Sequence, residues 1–341
     1  MEEVEHSGGA ALRGYKGVCA KLGAVMCVYF ACRILSGYIS QAIVGQSHNI
    51  GSTGAYFLGM SVMVIMVYFI PLLFTAIVFK SFRRYSGGEF RALYKKPRRV
   101  ARALGAFPAI YGLGYGIALL TLLSSFLISR VSGGQTFIED LFRPTALEPS
   151  SDIAGALMTV FLLVVIAPVF EEIWVRGIMF DALKPFGCGI AIIISSVLFG
   201  LMHGSMYMLF YTTALGFALG YIRYATGSIF APTILHAIIN SVAAGILFLS
   251  SLSGITDGES KMVNTVFSIY ILAVLVLIVV GIIAFFMKIP SIRMYKFENA
   301  WSDVGPGKKT ALFFLSIPVI IMLVLAVNEH MNNWLLDLIV R

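Results

Sequence analysis

Three small groups of polar residues interrupt otherwise apolar stretches of this chain, and their types suit acid–base chemistry on a water molecule. The first is Glu171, Glu172 and Arg176, at the end of the apolar run from Ile153 to Phe170. The second is Phe199 with His203, and the third is His236 with Asn240, each pair spaced by four. Ionisable side chains inside a bilayer are costly unless they pair or face a wet cavity, so each group marks a candidate functional site. On a helix, Glu172 and Arg176 are neighbours one turn apart and pair, while Glu171 points about 100° away. One carboxylate is thus scaffold and the other has no local partner. His236 and Asn240 share a helix face, which puts an imidazole and a carboxamide side by side.

The elements that must position these groups follow from composition. Of 341 residues, 59% are hydrophobic and 12% charged, and the mean hydropathy is +0.90, far from the soluble globular range. The chain reads as all-α, a polytopic membrane helix bundle of about 8–9 transmembrane or buried helices. Apolar segments lie near 22–45, 53–79, 103–129, 153–186, 188–203, 206–222, 229–250, 262–288 and 311–328. Segments 188–203 and 206–222 are short for full spans and fit helices buried inside protein. The turn expected near Phe186 and Gly187 lies 16 residues from both Glu171 and His203. In an antiparallel helix pair both would then sit roughly 24 Å from the turn. His236 and Asn240, counted from the turn at Thr226 and Gly227, come to roughly 14–20 Å. The three groups share a depth. Pro168 is expected to kink its helix near the acids.

Other features bound the reading. The net charge of +8 is concentrated in short loops, above all Lys80 to Arg102, which is the pattern of a cytoplasmic membrane flank and not of a nucleic-acid face. The N-terminus is accordingly expected in the cytoplasm, in a multi-pass protein of the cell membrane or another cellular membrane. Cys19, Cys27, Cys32 and Cys188 show no zinc or redox spacing and read as small hydrophobes. No cleavable signal segment is evident in the first apolar run. Gly200 with Gly204 and Gly216 with Gly220 suit close helix packing. Arg33 is a further intramembrane cation whose partner the sequence does not name. The chain divides into N-terminal helices with the basic loop (1–150), a core carrying the three groups (151–250) and C-terminal helices (251–341), with no soluble domain.

A carboxylate, two imidazoles and a carboxamide suit hydrolysis by activated water. Glu171 is the general base, His203 holds the water or accepts a proton, and His236 with Asn240 donates to the developing oxyanion. A zinc-protease H-E-x-x-H helix and a G-x-S-x-G nucleophile elbow are both absent from the sequence. In this order, Glu171-Glu172-x-x-x-Arg176, Phe199-x-x-x-His203 and His236-x-x-x-Asn240 resemble the three motifs of the CAAX-protease and bacteriocin-processing family of intramembrane endopeptidases, which includes the type II CAAX prenyl proteases. The resemblance covers about residues 150–250. It implies a helical multipass endopeptidase in which Glu171 activates water. Glu172, Arg176 and Phe199 would support the site, with His203, His236 and Asn240 positioning water and oxyanion. Its implied partners are a membrane-associated peptide or protein substrate and the lipid bilayer. No cofactor is expected; the alternative is zinc on Glu171, His203 and His236. Two rival readings are a catalytically silent binding or immunity protein of the same fold and, further off, a proton-coupled transporter.

Overall fold

The computed structural model describes residues 2–45, 52–80, 101, 104–132, 152–256, 258–288 and 304–330. The basic loop between residues 81 and 100 and the acidic residues Glu139, Asp140 and Glu148 lie outside the described residues.

The main elements are all helical. Helix α1 is Glu2–Gly45, longer at its start than its apolar run. Helix α2 runs through Ser52–Met63, a π-helical stretch Val64–Phe69 and Ile70–Val78. Then come α3 (Phe107–Ser132), α4 (Ile153–Phe186), α5 (Cys188–Leu201), α6 (Met206–Thr226), α7 (Phe230–Ile255) and α8 (Lys261–Lys288). The last two, α9 (Pro306–Phe314) and α10 (Ile317–His330), meet at a bend of 69°, so the final apolar segment is bent, as a broken span or a re-entrant loop is, and not one straight helix. Among the described residues six helices are long and apolar enough to cross a membrane, and the bent pair makes up to seven. The chain is a multi-pass helical membrane protein.

Two apolar cores hold the bundle. The first joins α1 (Tyr15, Leu22, Met26, Phe30), α4 (Trp174, Met179), α5 (Ile194, Leu198) and α10 (Val319, Met322). The second joins α3 (Tyr111), α6 (Leu215, Leu219), α7 (Leu235, Ile239) and α8 (Val274, Ile278). Helix α5 has only 14 residues, about 21 Å at 1.5 Å per residue. It is buried on almost every face from Ile190 to Leu201, which is why an apolar helix too short to span is stable there.

Association inside lipid depends on close packing more than on apolar burial, so small residues mark the contacts. A Cβ at Gly216 of α6 would stand 3.0 Å from Ser196 Cα of α5, and one at Gly220 would stand 3.4 Å from Ile192. Gly200 faces Thr213 and Leu209 in the same seam. Gly204 does not join them. It takes φ +64° in the turn after α5, a left-handed conformation that glycine adopts without a Cβ penalty. The expected turns are formed at Gly187 (φ +125°) and Gly227 (φ +70°). They reverse the chain between α4 and α5 and between α6 and α7.

Candidate active site

Helix α4 is where the backbone departs from regularity. Pro168 lies in the short α-helical piece Ala167–Glu172, between π-helical stretches Leu162–Ile166 and Ile173–Met179. A proline ring clashes with the carbonyl four residues before it and supplies no N–H. The wider π turn relieves that clash, and α4 continues through the proline as a single helical span from Ile153 to Phe186. Ala167 N–H bonds to Leu162 O, five residues back. The next donor in that register would be Pro168, which has none, so the Leu163 carbonyl is left over. Asn240 of α7 fills the gap, donating from Nδ2 to Leu163 O at 2.9 Å. The carboxamide of the third motif is therefore oriented by the proline of the first.

The acids that follow separate as their spacing predicts. Arg176 Nη1 is 3.2 Å from Glu172 Oε1, both side chains fully buried. Arg176 Nη2 also donates to the Gly216 carbonyl at 3.2 Å. The same Glu172 Oε1 lies 3.0 Å from His236 Nδ1, so Glu172 orients an imidazole as well as balancing the arginine. That second task is not visible in the i,i+4 count. His236 is thereby aimed with Nε2 toward Glu171, 3.9 Å from its Oε2. Glu171 Oε2 is buried and accepts no hydrogen bond among the described residues. Its other oxygen accepts from the Tyr68 hydroxyl at 3.3 Å.

His203 lies just beyond the end of α5, in the turn. Its Nδ1 is 2.8 Å from the Phe199 carbonyl; a carbonyl only accepts, so Nδ1 carries the proton and Nε2 presents its lone pair. Phe199 is a shared surface: its ring stands edge-on to His203 at 4.8 Å and to His236 at 5.5 Å. The Arg176 guanidinium lies 4.3 Å from its centroid, a cation–π contact in a dry site. Glu171, His203 and Asn240 line one cavity of about 810 Å³, bounded further by Tyr29, Arg33 and Tyr68 and by apolar side chains including Met60, Met63 and Leu247.

The structure thus brings Glu171, Glu172, Arg176, Phe199 and His236 into direct contact and sets His203 and Asn240 on the same cavity. Sequence reasoning missed Tyr68 and the partners of Arg33. A phenol in the apolar run Val64–Phe74 was the available signal, since lipid offers a hydroxyl no partner. For metal, Glu171, His203 and His236 are the relevant set. Among the described residues no three His, Cys, Asp or Glu side chains form a group that could hold one ion.

Residues 153–242 match the family model described as "Type II CAAX prenyl endopeptidase Rce1-like". A Bacillus subtilis protein named "Putative membrane peptidase YdiL" is 28% identical over 136 residues, covering 37% of this chain and 55% of the relative. The chain thus spans about half the length of that curated relative. No solved structure matches. The resemblance read from the three motifs is borne out: the matched segment carries all three. It leaves out α1 and α2, from which Tyr29, Arg33 and Tyr68 reach the same cavity.

Proposed function

We propose that this chain is an intramembrane endopeptidase that hydrolyses a peptide bond of a membrane-associated peptide or protein with water activated by Glu171. The observation that carries the reading is the Glu171 carboxylate. It is buried on a large cavity, has one oxygen held by Tyr68 and the other without a hydrogen bond among the described residues, and faces an imidazole that Glu172 has already oriented. A buried acceptor with no donor is expensive to maintain, and a reacting water is the group whose proton it would take.

In this reading Glu171 Oε2 removes a proton as the water oxygen bonds to the scissile carbonyl carbon, and the lone pair on His203 Nε2 holds the second water hydrogen. The carbonyl electrons move onto oxygen. His236, with Nδ1–H held by Glu172, donates from Nε2–H as the imidazolium, and the remaining Nδ2 hydrogen of Asn240 is the second donor on the oxyanion side. The tetrahedral species collapses with cleavage of the C–N bond, and the proton on Glu171 passes to the departing amine. Glu172 and Arg176 keep His236 in place without touching the substrate. The resemblance supports a peptide substrate at the membrane, with prenylated C-terminal peptides as the first class to try and pheromone, bacteriocin or membrane-protein segments as the others.

The test is cleavage of a fluorogenic peptide library by purified protein in lipid micelles, comparing wild type with Glu171→Gln, each with and without a chelator. Loss of cleavage in Glu171→Gln, with chelator having no effect, is expected. Equal cleavage by the variant rules the mechanism out, and inhibition by chelator alone would restore zinc despite the geometry.

A further inference from the structure

We infer that Arg33 of α1, acting with Tyr29, is a positioning residue that fixes the turn carrying His203. This rests on the hydrolytic reading for its kinetic consequence but not for its geometry. Helix α5 ends at Leu201, and the chain turns through Met202, His203 and Gly204 before α6. The last carbonyls of a helix have no partner within it, and a cation at that end meets both the unpaired oxygens and the negative end of the helix dipole. Arg33 supplies this from a helix 170 residues away. Its Nη1 donates to Met202 O and lies 3.1 Å from the Tyr29 hydroxyl, while Nη2 donates to His203 O at 3.2 Å. Tyr29 donates to the same Met202 carbonyl at 2.7 Å.

A planar guanidinium that grips two successive carbonyls fixes the peptide between them in height and in rotation, which an ammonium cannot do. The ring is then held at its far end by Nδ1–H donating to Phe199 O. With the backbone gripped by Arg33 and Nδ1 gripped by Phe199, Nε2 has one direction left. The turn beside it contains Gly204 at φ +64°, a residue with little stiffness of its own. Lipid supplies no donors to replace a lost grip. Helix α1 is outside the segment that matches the family model, so the placement of His203 depends on a part of the chain that the motifs do not mark.

The kinetic test uses the library peptide that wild type cleaves fastest, in lipid micelles, with Arg33→Gln, Arg33→Lys, Tyr29→Phe, His203→Gln and the double variant Arg33→Gln/His203→Gln. Arg33→Gln is expected to lower kcat by about 10²-fold, the cost of a misplaced catalytic group, with KM little changed. Arg33→Lys should recover only part of this, and Arg33→Gln should cost nothing further in the His203→Gln background. An independent readout is the side-chain ¹⁵N signal of His203, assigned by its loss in His203→Gln. It should show one Nδ1-protonated form in wild type and tautomer averaging in Arg33→Gln, at an unchanged melting temperature for Arg33→Lys. A raised KM with unchanged kcat would make Arg33 a substrate contact and overturn the inference. So would full rescue by lysine, additive losses in the double variant, or an unaltered His203 signal. If Glu171→Gln cleaves like wild type the hydrolytic reading fails, and the ¹⁵N spectra still decide the clamp.

Discussion

Replacing Glu172 and Arg176 together by Leu and Met separates what this pair does for the fold from what it does for the site. Both side chains are fully buried and 3.2 Å apart, so removing either alone strands a charge in a dry interior, at a cost of about 3–5 kcal/mol. That is a large part of a stability that is typically about 5–15 kcal/mol. Removing both eliminates the stranded charge, and apolar replacements of a buried pair are often neutral or better by about 1–4 kcal/mol. Against this stands His236 Nδ1, which loses its bond to Glu172, at about 1–3 kcal/mol; the Gly216 carbonyl loses the Arg176 contact but remains inside the helical ladder of α6. The double variant should therefore lie within a few kcal/mol of the parent and well above either single variant. Its cleavage rate should still fall by about 10²-fold, because His236 no longer has the carboxylate that aims Nε2 at Glu171. Unfolding in mixed micelles with SDS as denaturant measures the first quantity, and initial rates on the best library peptide measure the second. A double variant as unstable as the singles would refute the ion-pair argument. One with parental activity would refute the orienting role of Glu172.

Three further outcomes follow from other contacts. Tyr68→Phe removes the 3.3 Å hydrogen bond to Glu171 Oε1, worth about 1 kcal/mol, and should lower kcat by about fivefold while leaving the melting temperature nearly unchanged. Pro168→Ala restores an N–H that reaches Leu163 O in π-helical register; the melting temperature should hold or rise, while kcat falls as the Asn240 carboxamide loses its sole claim on that carbonyl. Asp152 caps α4, accepting from Gly155 N–H at 2.7 Å and from Thr53 at 2.9 Å, and these bonds hold its carboxyl below the usual carboxylate range. Its folded-state value is depressed, so its contribution is complete above the unfolded carboxylate value and is lost as pH falls through the folded one. Asp152→Asn should flatten the acid limb of melting temperature against pH, and an unchanged limb would count against this cap.

The site was legible because its residues repeat a helical spacing and lie at countable distances from glycine turns. Glu172 with Arg176, and His236 with Asn240, follow from 3.6 residues per turn alone. The joint depth of Glu171 and His203 follows from the reversal at Gly187. What could not be read was pairing between distant helices: Tyr68 meets Glu171 across 103 positions and Arg33 meets Met202 across 169, and no local periodicity encodes either. The irregularity expected at Pro168 takes the form of π-helical turns on either side of its short α-helical piece. Counting five residues back from a proline, instead of four, would have identified the spare Leu163 carbonyl and hence the lock on Asn240. The bend between α9 and α10 falls at Leu315 and Ser316, inside a run that hydropathy treats as continuous.

A helix is also a clock, in which every residue advances the side chains by about 100°. The π-helical stretch Leu162–Ile166 sets that clock back just before the two acids, so the phase at which Glu171 and Glu172 emerge is determined upstream of them. Removing one of residues 167–170 from the ordinary helical piece that follows would leave every side chain of the three motifs in the sequence, yet turn Glu171 about 100° away from the cavity. Insertions and deletions between residues 167 and 170 should therefore be far more damaging than substitutions there, whereas the loss of one residue from 162–166 is absorbed when the π turn closes to an α turn, and two sequences with identical motifs can differ in activity through the count of residues alone.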